Sequence, residues 1–157
     1  MMKLNNGKGL KQLYMNAYDN ALSLSIANFC PNLKSLFVRF KKGEADILKT
    51  IFINCQYLES IKIWCGKENL TEKEIFETVE NHSPNNFYEL KICNSSRLYF
   101  ISSKELESFF ISWKNRTPKK LLRLIFINYE IKANMKIIEK YKNLGIIKFE
   151  IKTLKRI

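Results

Sequence analysis

The residues of this chain that could do chemistry are few. There are four cysteines, Cys30, Cys55, Cys65 and Cys93, and one histidine, His82. Structural zinc sites draw on cysteine pairs at C-x-x-C spacing or on mixed Cys/His sets, and neither is present. The cysteines therefore read as reduced, buried thiols, which fits an intracellular protein of the cytoplasm or nucleus. His82 stands in VENHSPNN, at the end of a predicted helix, where it meets solvent or the last carbonyls. No serine or cysteine sits in a nucleophile signature, and there is no G-x-x-x-x-G-K-[ST] loop to cradle a phosphate. Glu72, Glu74, Glu77 and Glu80 recur along a helical pattern and read as a solvated face rather than an acid/base pair. The chain is thus expected to be non-catalytic, with no cofactor and no metal.

Two of the cysteines mark something else. Residues 28–38 read NFCPNLKSLFV and residues 53–63 read INCQYLESIKI. Aligned on Cys30 and Cys55, they share C-x-x-L-x-S-[LI]-x-[VI]. The apolar part recurs at Leu10/Leu13/Met15, Phe87/Leu90/Ile92, Leu121/Leu124/Phe126 and Leu144/Ile147/Phe149. From first position to first position the steps are 23, 25, 29, 34 and 23 residues. That spacing is close to the roughly 20–29 residues of a leucine-rich repeat.

The elements that must carry these units follow from periodicity. Each L-x-x-L-x-L core alternates and reads as a short strand. Strands are expected near 11–16, 34–39, 59–64, 88–93, 122–127 and 147–152. Between them lie helical stripes: Ile47, Leu48, Ile51 and Phe52; Ile75, Phe76 and Val79; Leu106, Phe109, Phe110 and Trp113. Thr71/Glu74 and Ser102/Glu105 are capping-box pairs at two helix starts. DNALSLSIANF and ANMKIIEKY are weaker copies, and Pro31, Pro84 and Pro118 each stand just before a strand. Strands joined by single helices run parallel with right-handed crossovers. A doubly wound sheet would need strands apolar on both faces. Here Arg39, Lys62, Lys91, Arg123 and Lys148 interrupt one face. The expected fold is α/β: one domain over residues 1–157, a repeat solenoid of about six parallel strands lining a concave face with helices on the convex side.

The cysteine-bearing repeats, NFCPNL and INCQYL leading into a strand, resemble the leucine-rich repeats of F-box proteins. NHSPNNFYELKICNSS followed by SSKELESFFISWKNRTPKKL is similar to an expanded fungal F-box-like family. The resemblance covers the chain from about residue 10. It implies a protein-interaction module that recruits a target for a ubiquitin ligase. A Skp1-type adaptor would bind only an upstream F-box, for which the segment before Leu10 leaves no room.

Charge narrows the partner further. Lys and Arg total 27 against 15 Asp and Glu, a net charge of +12. An acidic protein target suits this balance, and a nucleic-acid-binding solenoid is the alternative reading. No apolar run approaches the roughly 20 residues of a membrane span, so no membrane partner is expected. Alternation fixes the residues displayed on the inner face. The central row is Tyr14, Phe37, Lys62, Lys91, Ile125, Lys148. The flanking rows are Asn16, Arg39, Trp64, Cys93, Ile127, Glu150 and Gln12, Ser35, Ser60, Glu89, Arg123, Ile146. The candidate partner-binding residues are Phe37, Arg39, Lys62, Trp64, Lys91, Arg123 and Ile125, together with Tyr99 and Phe100 in the insertion NSSRLYFISS at 94–103.

Overall fold

In the computed structural model, which describes residues 7–15, 18–94 and 101–153, three helices start where a side chain caps them. Asp19 accepts a hydrogen bond from the Leu22 amide (3.0 Å) and opens α1, Asn20–Phe29. Thr71 accepts from the Glu74 amide (3.1 Å) and opens α3, Glu72–His82. Ser102 accepts from the Glu105 amide (3.4 Å) and opens α4, Ser103–Lys114. Each bond satisfies one of the amides that a helix start leaves orphaned. Only the forward half of the Thr71 capping box forms; Glu74 Oε2 has no hydrogen-bond partner among the described residues. The two remaining α-helices are α2, Ala45–Asn54, and α5, Met135–Asn143.

The strands are β1 Gln12–Tyr14, β2 Ser35–Val38, β3 Ser60–Cys65, β4 Glu89–Asn94, β5 Leu122–Ile127 and β6 Ile147–Lys152. They form one sheet in sequence order, β1 to β6, and every neighbouring pair is parallel. With no reversal of strand order, right-handed crossovers would place the described helices on one face. The packing agrees. Leu36, Ile61, Leu90 and Leu124 share one row of the sheet, Val38, Ile63, Ile92 and Phe126 share another, and all are buried in one cluster with the helix stripes. Phe76 stacks on Phe109 at 4.5 Å between ring centres, so neighbouring helices meet through aromatic faces. None of the described helices is long and apolar enough to cross a membrane.

The sixth strand is displaced from the expected rows. Leu124 pairs with Phe149, Arg123 with Lys148 and Ile125 with Glu150. Lys148 therefore does not end the central row; Glu150 does, and Lys152 lies beside Ile127. The cause is the end of α5. The Ile146 amide donates to Tyr141 O (3.0 Å), the Gly145 amide to Lys142 O (3.0 Å), and Gly145 has φ 75°. This is a Schellman motif with its glycine in the left-handed conformation. It leaves Leu144 as the cap, outside the sheet, so that the strand begins at Ile147 where expected but pairs two residues earlier along β5. A shift of two residues keeps the inward set inward, because strand side chains alternate.

The repeat cysteine is also explained. Cys30 and Cys55 are the C-caps of α1 and α2. The Cys55 thiol donates back to the Cys30 carbonyl (3.4 Å), so one unit closes the helix end of the unit before it. At the end of α4 an arginine takes over this task. Arg116 donates to the carbonyls of Ser83 (2.9 Å) and Pro84 (2.6 Å) at the end of α3 while its guanidinium lies over Trp113.

Candidate interaction face

The second face of the sheet carries no described helix. Its central row is Tyr14, Phe37, Lys62, Lys91 and Ile125, in register across five strands. Tyr14 stacks on Phe37 with ring centres 4.4 Å apart and planes 4° from parallel. Lys62 Nζ lies 4.8 Å from the Phe37 ring centre. Phe37 is thereby buried, while Tyr14 is 68% exposed and is the aromatic surface offered to solvent. In the next row the Arg39 guanidinium sits 4.7 Å from the Trp64 ring centre and 5.1 Å from that of Tyr18. Trp64 is half-buried, and its indole Nε1 has no hydrogen-bond partner among the described residues. Gln12, Ser35, Ser60, Lys62 and Lys91 surround a cleft of about 430 Å³ beside the Tyr14–Phe37 stack.

A second group on this face is held by its own charges. Glu89 is buried. It accepts from the Ser60 hydroxyl at 2.7 Å and pairs with Lys91 Nζ at 3.3 Å and Arg123 Nη1 at 3.2 Å. Arg123 Nη2 continues to Glu150 Oε1 at 3.0 Å. Lys91 and Arg123, expected as partner contacts, are therefore committed to ion pairs across β4, β5 and β6. Lys62 carries no acidic partner among the described residues and faces only the Phe37 ring.

Ile125, also expected on the surface, is fully buried in a small cluster with Cys93, Ile127 and Phe37, against which Trp64 packs. A residue with no exposed area is not a contact for a partner. Tyr99 and Phe100 lie outside the described residues, as does Asn16. Of the expected set, the structure brings together Phe37, Arg39, Lys62 and Trp64 on one continuous surface. Sequence reasoning passed over Tyr14 and Tyr18 as contacts. The alternation that put Tyr14 in the row of Phe37 was the signal, since parallel strands in this register set the two rings directly side by side.

Among the described residues, the thiols are held in their neutral form by burial. Burial pushes the thiols of Cys55 and Cys93 up to about 11 and raises that of Cys30. Burial also raises the Cys65 thiol and the Tyr129 hydroxyl, with the Glu72 carboxylate reinforcing both. Neutral thiols are poor nucleophiles. Glu72 itself departs from the expected solvated face: it is buried and accepts from the Tyr129 hydroxyl (3.0 Å), a long-range bond that ties α3 to the segment after β5. No group of three or more His, Cys, Asp or Glu stands close enough to hold a metal ion among the described residues. No family model, no curated protein and no solved structure matches the chain.

Proposed function

We propose that this chain is a non-catalytic protein-recruiting module that binds its target through the helix-free face of the sheet. In this reading the sequential parallel strands are the inner wall of a one-sided repeat array, as in the F-box leucine-rich repeats the sequence resembles. The observation that carries it is the juxtaposition of exposed Tyr14 on Phe37 with Arg39 on Trp64. Aromatic and arginine side chains on a rigid scaffold are the residues that dominate protein interfaces. The target is a protein with an acidic or mixed surface, and Lys62 steers its approach. A Skp1-type adaptor enters only through an F-box elsewhere in a longer protein.

The test pairs adjacent residues. Trp64 and Ile63 are neighbours on opposite faces of β3. Trp64→Ala and Tyr14→Ala should each cost about 2 kcal/mol or more of binding to the protein recovered from nuclease-treated extract; Tyr14→Ala, which removes an exposed ring, should do so with little loss of stability. Ile63→Ala should instead cost about 2–5 kcal/mol of stability. If Trp64→Ala and Tyr14→Ala leave binding unchanged, the face is not the site.

A second reading keeps the net charge of +12 and the exposed Tyr14 ring, which together would suit stacking with single-stranded nucleic acid. Backbone-dominated nucleic-acid binding weakens steeply with salt, whereas an aromatic protein interface weakens little. A salt titration separates the two.

A further inference from the structure

The first apolar position of the repeat changes character along the chain. Leu33, Leu58 and Phe87 are fully buried, whereas Leu121 and Leu144 are 51% and 55% exposed. The Schellman turn expels Leu144 from β6, and β5 starts one residue after Leu121. The two leucines come together. They line one cavity of about 280 Å³ with Trp113, Lys114, Lys119 and Lys120, where the ends of α4 and α5 meet the starts of β5 and β6. The Trp113 indole donates to the Lys120 carbonyl at 2.7 Å and fixes the segment that carries the lysines. No acidic residue lines the cavity. Lys114, Lys119 and Lys120 form no ion pair among the described residues; Lys120 reaches only the Asn86 amide oxygen (3.3 Å).

We propose that this cavity docks an acidic peptide segment carrying a pair of leucine-type side chains. The site lies on a different edge of the molecule from the interaction face and does not rest on it. Its apolar floor is provided by the two exposed leucines, and its rim by three lysines whose charge no carboxylate among the described residues offsets. Exposed aliphatic surface within a concave basic rim matches a ligand of aliphatic side chains interleaved with carboxylates, through burial of the former and steering of the latter. A purely polar anion would leave the leucines exposed, and a purely apolar segment would leave the lysines unmatched.

The probe is an end-capped peptide of sequence DELDELED, titrated into isotope-labelled full chain and followed by amide chemical shifts. Binding with Kd below about 1 mM is expected, with the largest shifts at Leu121, Leu144 and Lys119. DEADEAED should bind about tenfold more weakly or worse, since its alanines bury little apolar area. Leu121→Ser with Leu144→Ser should weaken DELDELED by about tenfold or more, with an unchanged melt, because both leucines are exposed. Lys119→Glu serves as a second variant that alters only the rim and should also weaken binding. The proposal is overturned if DELDELED does not bind, if DEADEAED binds equally well, or if the shifts map to the helix-free face. It is equally overturned if an oligothymidylate shifts these amides while the peptide leaves them in place.

Discussion

Removing the Glu89 carboxylate should destabilise the sheet more than the loss of any one exposed ion pair. The residue is 7% exposed and serves three donors: the Ser60 hydroxyl at 2.7 Å, Lys91 at 3.3 Å and Arg123 at 3.2 Å. The hydroxyl bond is charge-assisted and partly buried, so its loss costs about 1.5–3 kcal/mol. The two cations are a third to two-fifths exposed and regain water, so each pair adds only about 0.5 kcal/mol. Glu89→Ala should therefore cost about 3 kcal/mol, or roughly 6–12 °C in Tm for a chain of this size. Glu89→Gln keeps the volume and an acceptor for Ser60 but removes the charge, and should cost about 1–2 kcal/mol. The assay is urea unfolding of both variants at low and high salt. Because the carboxylate is buried, most of the loss should survive at about 0.5 M salt, where exposed pairs are screened. If Glu89→Gln is as stable as the parent chain, the carboxylate charge is not what binds β3, β4 and β5 on this face.

Four further outcomes follow from the packing. Arg116→Ala removes the donors to Ser83 O and Pro84 O and the stacking on Trp113, and should cost about 1–3 kcal/mol in denaturant unfolding; Arg116→Lys should recover only part, since one ammonium does not reproduce the planar fork. Cys55 and Cys93, with thiols pushed up to about 11 by burial, should react with iodoacetamide at pH 8 about a hundredfold more slowly than unfolded thiols from ionisation alone. The same shift makes stability fall as pH rises from about 9 through about 11, because only the unfolded chain can ionise these thiols; pH-dependent melts check the sign. Gly7→Ala should lower Tm measurably, because an added Cβ would lie 2.3 Å from Phe29 O and 2.6 Å from Cys30 Sγ, and backbone must move to admit it.

What the sequence by itself determined was periodic and local. Alternation around Leu36, Ile61 and Leu90 located the strands and their inward face, and the helical stripes located the helices behind them. Thr71, Ser102 and their downstream glutamates marked helix starts, because capping involves residues three apart. These features survive small errors of alignment. The two-residue displacement of β6 moved Lys148 and Glu150 between rows yet left Ile147 and Phe149 facing inward. Even that displacement had a local signal in Gly145, whose position after a helix suits the left-handed cap.

What only the tertiary structure decided was which displayed residues remain available. Tyr14 covers Phe37, Glu89 occupies Lys91 and Arg123, and Ile125 has no exposed area, although alternation assigned all six to the same face as Lys62. Glu72 follows the helical period of an exposed glutamate but is drawn inward by Tyr129, 57 residues away. Leu121 and Leu144 match the repeat pattern but are exposed, Leu144 because the turn that ends α5 leaves it outside the sheet. The physical reason is the same in each case. Periodicity sets the direction in which a side chain points, whereas its exposure and its ion partners depend on side chains from other strands, brought beside it only by the register of the folded sheet.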